Sequence, residues 1–202
     1  HTVVREFVLV DLSKSFPQPE TVGEGTAQDL HALPQTDMVI LSPPAFVPEA
    51  ERLAAAHRRK RDSIHVTVVT PEQVYNEFSS GTPDATAIRR FMKMFYDRRT
   101  SEADAPKYLL LFGDGAHDNR QLSTAWKSID MTNFLLTFQT QQSIMGGNYG
   151  KPDKETYVTD DYFGFLRDGS GSDIGRSYVD LGIGRFPART VNQAKAIVDK
   201  VV

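Results

Sequence analysis

Three short runs of nearly unbroken apolar residues, Asp37–Leu41, Ile64–Val69 and Lys107–Phe112, limit what this chain can fold into. A strand with one wet face alternates apolar and polar residues, whereas a strand covered on both faces does not. Each run is therefore read as a doubly covered strand. The first stops hard at Ser42-Pro43-Pro44. Between the runs the spacing is helical. Pro48–Arg61 sets Ala50, Leu53, Ala54 and His57 on one side. Thr70-Pro-Glu-Gln73 is a capping box with Pro at the first helical position, starting a short helix through Val74, Tyr75 and Phe78. Ser79–Thr82 breaks it. A longer helix follows from Pro83, with Ile88, Phe91, Met92 and Phe95 at i, i+3, i+4 and i+7. Tyr178–Ile183 reads as a fourth strand. Thr190-Val-Asn-Gln193 is the capping box of a last helix. Strands alternating with helices predict an α/β fold: a three-layer sandwich of a mainly parallel, Rossmann-like sheet with helices on both faces.

Two regions break this rhythm. Asn119–Tyr157 is polar and Gln-rich, longer than an ordinary connection, and its Phe134–Phe138 segment is expected to add an edge strand. At the start, Val3–Leu12 reads as a strand and is followed at once by a polar, Pro-containing stretch, so residues 1–27 are expected to end a preceding β segment or form a linker. Residues 28–202 would then be the α/β unit. His1 is followed by no charged-then-apolar leader, and the last helix is still apolar on one face at Val202. The expectation is a piece of something longer.

Composition removes several function classes. Lys and Arg number 23 against 26 Asp and Glu, a net charge of −3, without the basic surplus that phosphate contacts require. No apolar run approaches the roughly 18–20 residues of a membrane-spanning helix. The 202 residues contain no Cys, which excludes disulfides, thiolate metal ligands and any cysteine nucleophile within this chain.

Sites in parallel α/β sheets gather at the carboxyl ends of strands. Gly113-Asp-Gly-Ala-His-Asp-Asn119 follows the third strand directly and brings Asp114, His117 and Asp118 together. It reads either as a substrate or cation subsite, or as a strand-end turn whose carboxylates cap backbone N–H groups. Thr159-Asp-Asp-Tyr162 is the second cluster. The carboxylates of Asp160 and Asp161 are the hard oxygen donors that a structural Ca²⁺ takes, although no further run with ligand spacing follows, which favours a satisfied turn. Arg185 lies within reach of both clusters, where an Arg more often pairs with a carboxylate than catalyses. Asp29-Leu-His31 together with Asp114 and His117 imitates pieces of a two-metal phosphatase, but too few His and acidic ligands converge. There is no Gly-x-Ser-x-Gly elbow. No cofactor is required by any of these motifs.

Four segments, in order, carry a family resemblance: Tyr75–Asp84 followed by Ala87-Ile-Arg89, then Tyr108–Gly115, Tyr157–Tyr162 and Ile183–Arg189. Together they resemble the gingipain-like cysteine peptidases, peptidase family C25. Gln28–Pro34 and Asp114–Arg120 look most similar to its type IX secretion sortases. The resemblance runs from about Gln28 to Val202. It implies a caspase-like arrangement of two α/β halves, in which a His-Gly turn supplies an imidazole and a later strand end supplies a Cys that attacks a peptide carbonyl. For sortase-like members it implies removal of C-terminal sorting domains from secreted cargo, at the bacterial cell surface or outer membrane. This chain departs from that pattern in having neither Cys nor His-Gly, so no catalytic residue is carried onto it. What the resemblance leaves is the N-terminal, non-catalytic half, whose partners are the C-terminal catalytic half of the same protein and secreted protein substrates. Asp114, His117, Asp118, Asp160 and Asp161 are the candidate residues for the half-to-half interface or substrate cleft. The competing reading is a degenerate peptidase-like binding or scaffold module. A weaker one is a metal-dependent hydrolase.

Overall fold

The computed structural model describes residues 8–18, 20, 23, 25, 27–59, 64–139, 158–171 and 176–202. Four parallel strands form its sheet: β1 (Met38–Leu41), β2 (Val66–Val69), β3 (Tyr108–Phe112) and a last strand, Gly182–Phe186, in the order β2-β1-β3-last. Helices α1 (Val47–Arg59), α2 (Pro71–Phe78), α3 (Ala85–Asp97) and α4 (Val191–Val198) cover both faces. A separate antiparallel pair joins β4 (Phe138–Gln139) to β5 (Val158–Thr159), so the last sheet strand is β6.

Pleating divides the core in two. Val39, Leu41, Leu109 and Leu111 point to the face covered by α2 and α3, where Ile88, Phe91, Met92 and Phe95 are buried. Met38, Ile40, Leu110 and Phe112 point to the other face, where Leu53 of α1 and Ala194 and Val198 of α4 pack. That is why these strands read as unbroken apolar runs. The predicted capping boxes at Thr70 and Thr190 are both formed, each hydroxyl accepting the backbone N–H three residues on. Asp84 is the N-cap of α3, its side chain accepting the Thr86 N–H.

Three expectations are corrected. The fourth strand is Gly182–Phe186, not Tyr178–Ile183, and Tyr178 and Val179 are exposed. Gly182 and Gly184 both lie inside it and pair with β3. A Cβ at Gly182 would come within 3.2 Å of the Tyr108 ring, so the glycine gives that ring its place on the sheet. In Phe134–Phe138, only Phe138 joins a strand, and Phe134 makes an isolated bridge to Asp114. Of the proposed strand at Val3–Leu12, residues 3–7 lie outside the described residues. Residues 8–12 form no strand, and Val8, Leu9 and Leu12 are exposed.

Candidate functional site

β3 and β6 run side by side with Phe112 opposite Phe186, so the chain leaving each strand enters the same corner at the carboxyl end of the sheet. The loop after β3 is fastened there by backbone groups. Asp114 N–H donates to Ala188 O (3.0 Å), and Leu135 N–H donates to Asp114 O (2.8 Å). The buried Thr137 hydroxyl donates to Ala116 O (2.6 Å), and the Asn119 amide donates to Thr137 O (3.0 Å). These bonds satisfy a loop whose backbone would otherwise be buried without partners.

Gly113 makes the close approach feasible. A Cβ on it would lie 2.8 Å from Asn133 O and 2.9 Å from Leu135 Cγ. Gly113→Ala is expected to lower stability by about 1–3 kcal/mol through overpacking, read as a shift of the urea midpoint without a change of slope. A midpoint equal to wild type would show that the 133–135 segment yields freely.

Arg185 is the centre of the corner. Its guanidinium grips the Asp160 carboxylate with two bonds, Nε to Oδ2 (2.8 Å) and Nη2 to Oδ1 (2.7 Å). It also donates to the carbonyls of Gly113 (3.0 Å), Asp114 (3.2 Å) and Leu136 (3.4 Å). One planar fork thus ties β6 to the β3 loop, to the chain entering β4 and to the end of β5. A second pair lies beside it: Arg189 Nε meets Asp114 Oδ2 at 2.5 Å, with the guanidinium over the Phe134 ring.

The five predicted residues separate. Asp114, His117 and Asp160 line one cleft of about 290 Å³, together with Gly115, Thr159 and Arg185. Asp118 turns away to accept the Ser123 N–H (2.7 Å), and that bond holds its carboxyl below the usual range. Asp161 is exposed, opening a short 3₁₀ turn (Asp161–Gly164) with its N–H on the Thr159 hydroxyl (3.1 Å). Both Asp160 oxygens are held by Arg185, so that carboxylate is engaged in an ion pair. Among the described residues, no group of three or more His, Asp or Glu side chains forms around Asp114 and His117.

Sequence reasoning placed Arg185 within reach of both clusters, and the structure joins it to both. The roles of Thr137 and Arg189 were not found, because each partner lies far along the chain. Elsewhere, Asp29, His31 and Glu77 bring ligand atoms within 4.8 Å of one another. Glu77 is already saturated there by Gln28, Leu30 and His31, and Asp29 caps the Ala32 N–H, so the cluster reads as a structural hub. A larger groove of about 500 Å³ lies at the amino ends of the strands, among Met38, Ile64, Tyr108 and Gly182. Its lining is mainly apolar and gathers few polar groups, so the chemistry is better placed in the smaller cleft.

The family model for peptidase family C25 matches residues 31–202. A solved structure, dimeric latent PorU from Porphyromonas gingivalis, is 46% identical with a TM-score of 0.72, over 86% of this chain and 16% of that one. A second, described only as a protease, is 16% identical with a TM-score of 0.48, over 85% of this chain and 28% of that one. No curated protein matches the chain.

Proposed function

This chain belongs to peptidase family C25, and from that premise we propose that residues 28–202 are the non-catalytic N-terminal half of a gingipain-like cysteine endopeptidase. In this proposal the whole protein is a type IX secretion sortase, acting at the cell surface to remove C-terminal sorting domains from secreted cargo. The 46% identity to PorU supports this reading. With no Cys and no His-Gly among the 202 residues, the nucleophile and its imidazole belong to a following half in this proposal.

The observation that carries the proposal is the position of β6. Among the described residues it pairs on one side only, with β3, and its carboxyl end opens into the cleft of Asp114, His117 and Asp160. A further half continuing the sheet across that edge would bring its own strand ends to the same corner. The nucleophilic thiolate would attack the scissile carbonyl there, with the leaving amine taking its proton from the imidazole. Water or a second amine would then resolve the acyl-enzyme. The part played by this chain is to hold one wall of the cleft rigid, through Arg185, while supplying no reacting atom.

The test is the natural reading frame extended beyond Val202. Peptide cleavage that a thiol-alkylating reagent abolishes, with none from these 202 residues, is the expected result. If the extended protein does not cleave and carries no His-Gly or Cys, the chain is instead part of a binding module.

A further inference from the structure

The larger groove, about 500 Å³, lies on the α1 and α4 side of the sheet, near the amino ends of the strands. β6 is what hollows it out. Met38, Tyr108 and Gly182 stand in one row across the sheet, and Ile40, Leu110 and Gly184 in the next. On this face β6 therefore offers only glycine where β1 and β3 offer large side chains. Further along, Phe186 resumes the apolar surface, and Ala194 and Val198 of α4 pack in the same cluster. A Cβ at Gly184 would meet only the Leu110 side chain, at 3.9 Å, so the space above it is open. Among the described residues the groove has no cover. Glycines on a strand face mark a place where another backbone comes close, and an apolar hollow gains free energy when such an element covers it.

The direction of α4 identifies the cover. α1 returns from β1 to its parallel neighbour β2, so it runs from the carboxyl to the amino ends of the sheet. α4 starts beyond the carboxyl end of β6 and runs back beside α1, with Arg52 of α1 paired to Asp199 at its end. His57, on the groove wall, lies about 7.5 Å further along α1 than Arg52, in the direction α4 is taking. α4 is not closed at that point. Asp199 keeps right-handed helical backbone (φ −59°, ψ −20°) where a terminating cap would be left-handed. The Val202 N–H still donates to Val198 O, at 3.0 Å, as in a continuing helix. PorU, of which this chain covers 16%, is a much longer polypeptide. We infer that α4 continues past Val202 and that its next turns seat apolar side chains in the groove over Gly182 and Gly184. The occupant is this polypeptide's own continuation, and the contact fastens the following half to this one. The inference rests on the reading above that a following half exists, and adds the surface that anchors it.

The experiment uses the full-length protein. Gly184→Cys, which the open space above that residue accommodates, is combined with a Cys at each of the positions following Val202, one at a time, over about two helical turns. Disulfide formation is read by mass spectrometry of the linked peptides. Yields are expected to peak at positions three or four apart, about tenfold above those between them, because one face of the helix meets the sheet. In the wild-type protein, amide hydrogen exchange over the same two turns should be slowed by about a hundredfold or more relative to an unfolded chain. A flat, low yield at every position would overturn the inference, as would unprotected exchange directly after Val202. Disulfides joining two molecules in place of internal ones would also overturn it, and would make the occupant a second copy. Peptide cleavage is not read in either measurement, so this inference and the peptidase reading fail separately.

Discussion

Replacing Arg185 by Met is expected to destabilise the protein by about 3–5 kcal/mol, the usual consequence of removing one partner of a largely buried ion pair. The size follows from what is left behind. The Asp160 carboxyl, three-quarters shielded from water, would lose the cation against it. The carbonyls of Gly113, Asp114 and Leu136 would lose a donor at the same time. At roughly 2–4 °C per kcal/mol for a chain of this size, the melting temperature should fall by about 10 °C. Arg185→Lys should recover only a minority of the loss, because a single ammonium cannot span a carboxylate and separate carbonyls as a planar fork does. The double variant Asp160→Leu with Arg185→Met should be more stable than Arg185→Met alone, since it leaves no orphan charge. A loss below about 1 kcal/mol for Arg185→Met would mean that water reaches the corner and screens it, as it does for an exposed pair.

That fork was only half legible in the sequence, and the reason is physical. Features set by neighbours within one turn could be read directly: Thr70 with Gln73, Thr190 with Gln193, and the apolar stripe of α3 from Ile88 to Phe95. Each is decided by local geometry, which one sequence contains. The doubly buried strands were legible for the same reason, since burial on two faces leaves its mark in consecutive residues. Arg185 is different. Its partners stand 25 to 72 positions away, and nothing local says which of several carboxylates it meets. The bounds of β6 were misplaced because its pairing with β3, and the seat that Gly182 gives the Tyr108 ring, are non-local. In the candidate site, the residue types were visible but not their placement: Asp118 and Asp161 sit beside the cleft residues in sequence and are not among those that line the cleft.

The same distinction governs the second large effect, at Glu77. Its side chain, 15% exposed, accepts the Leu30 N–H on both oxygens (2.7 and 2.9 Å), the Gln28 amide (2.8 Å) and the His31 ring nitrogen (2.7 Å). This hub ties the segment before β1 to α2, and so seats Leu30 in the core. Burial alone would push the Glu77 carboxyl up, but the Leu30 N–H, the Gln28 amide and His31 outweigh it and hold it below the ordinary value of 4.5. Glu77→Gln keeps the shape, removes the charge and turns one acceptor into a donor facing donors. It is expected to cost about 2–3 kcal/mol at pH 7. The pH dependence has a definite sign. A carboxylate with a depressed folded pKa contributes stability that is fully present above its unfolded value and is lost as pH falls through the folded one. The gap between wild type and Glu77→Gln should therefore be constant from pH 7 to about 5 and narrow progressively below about 4.5. Urea titrations of both proteins across that range measure it. A gap that stays constant down to pH 3 would show that Glu77 acts by shape and not by charge.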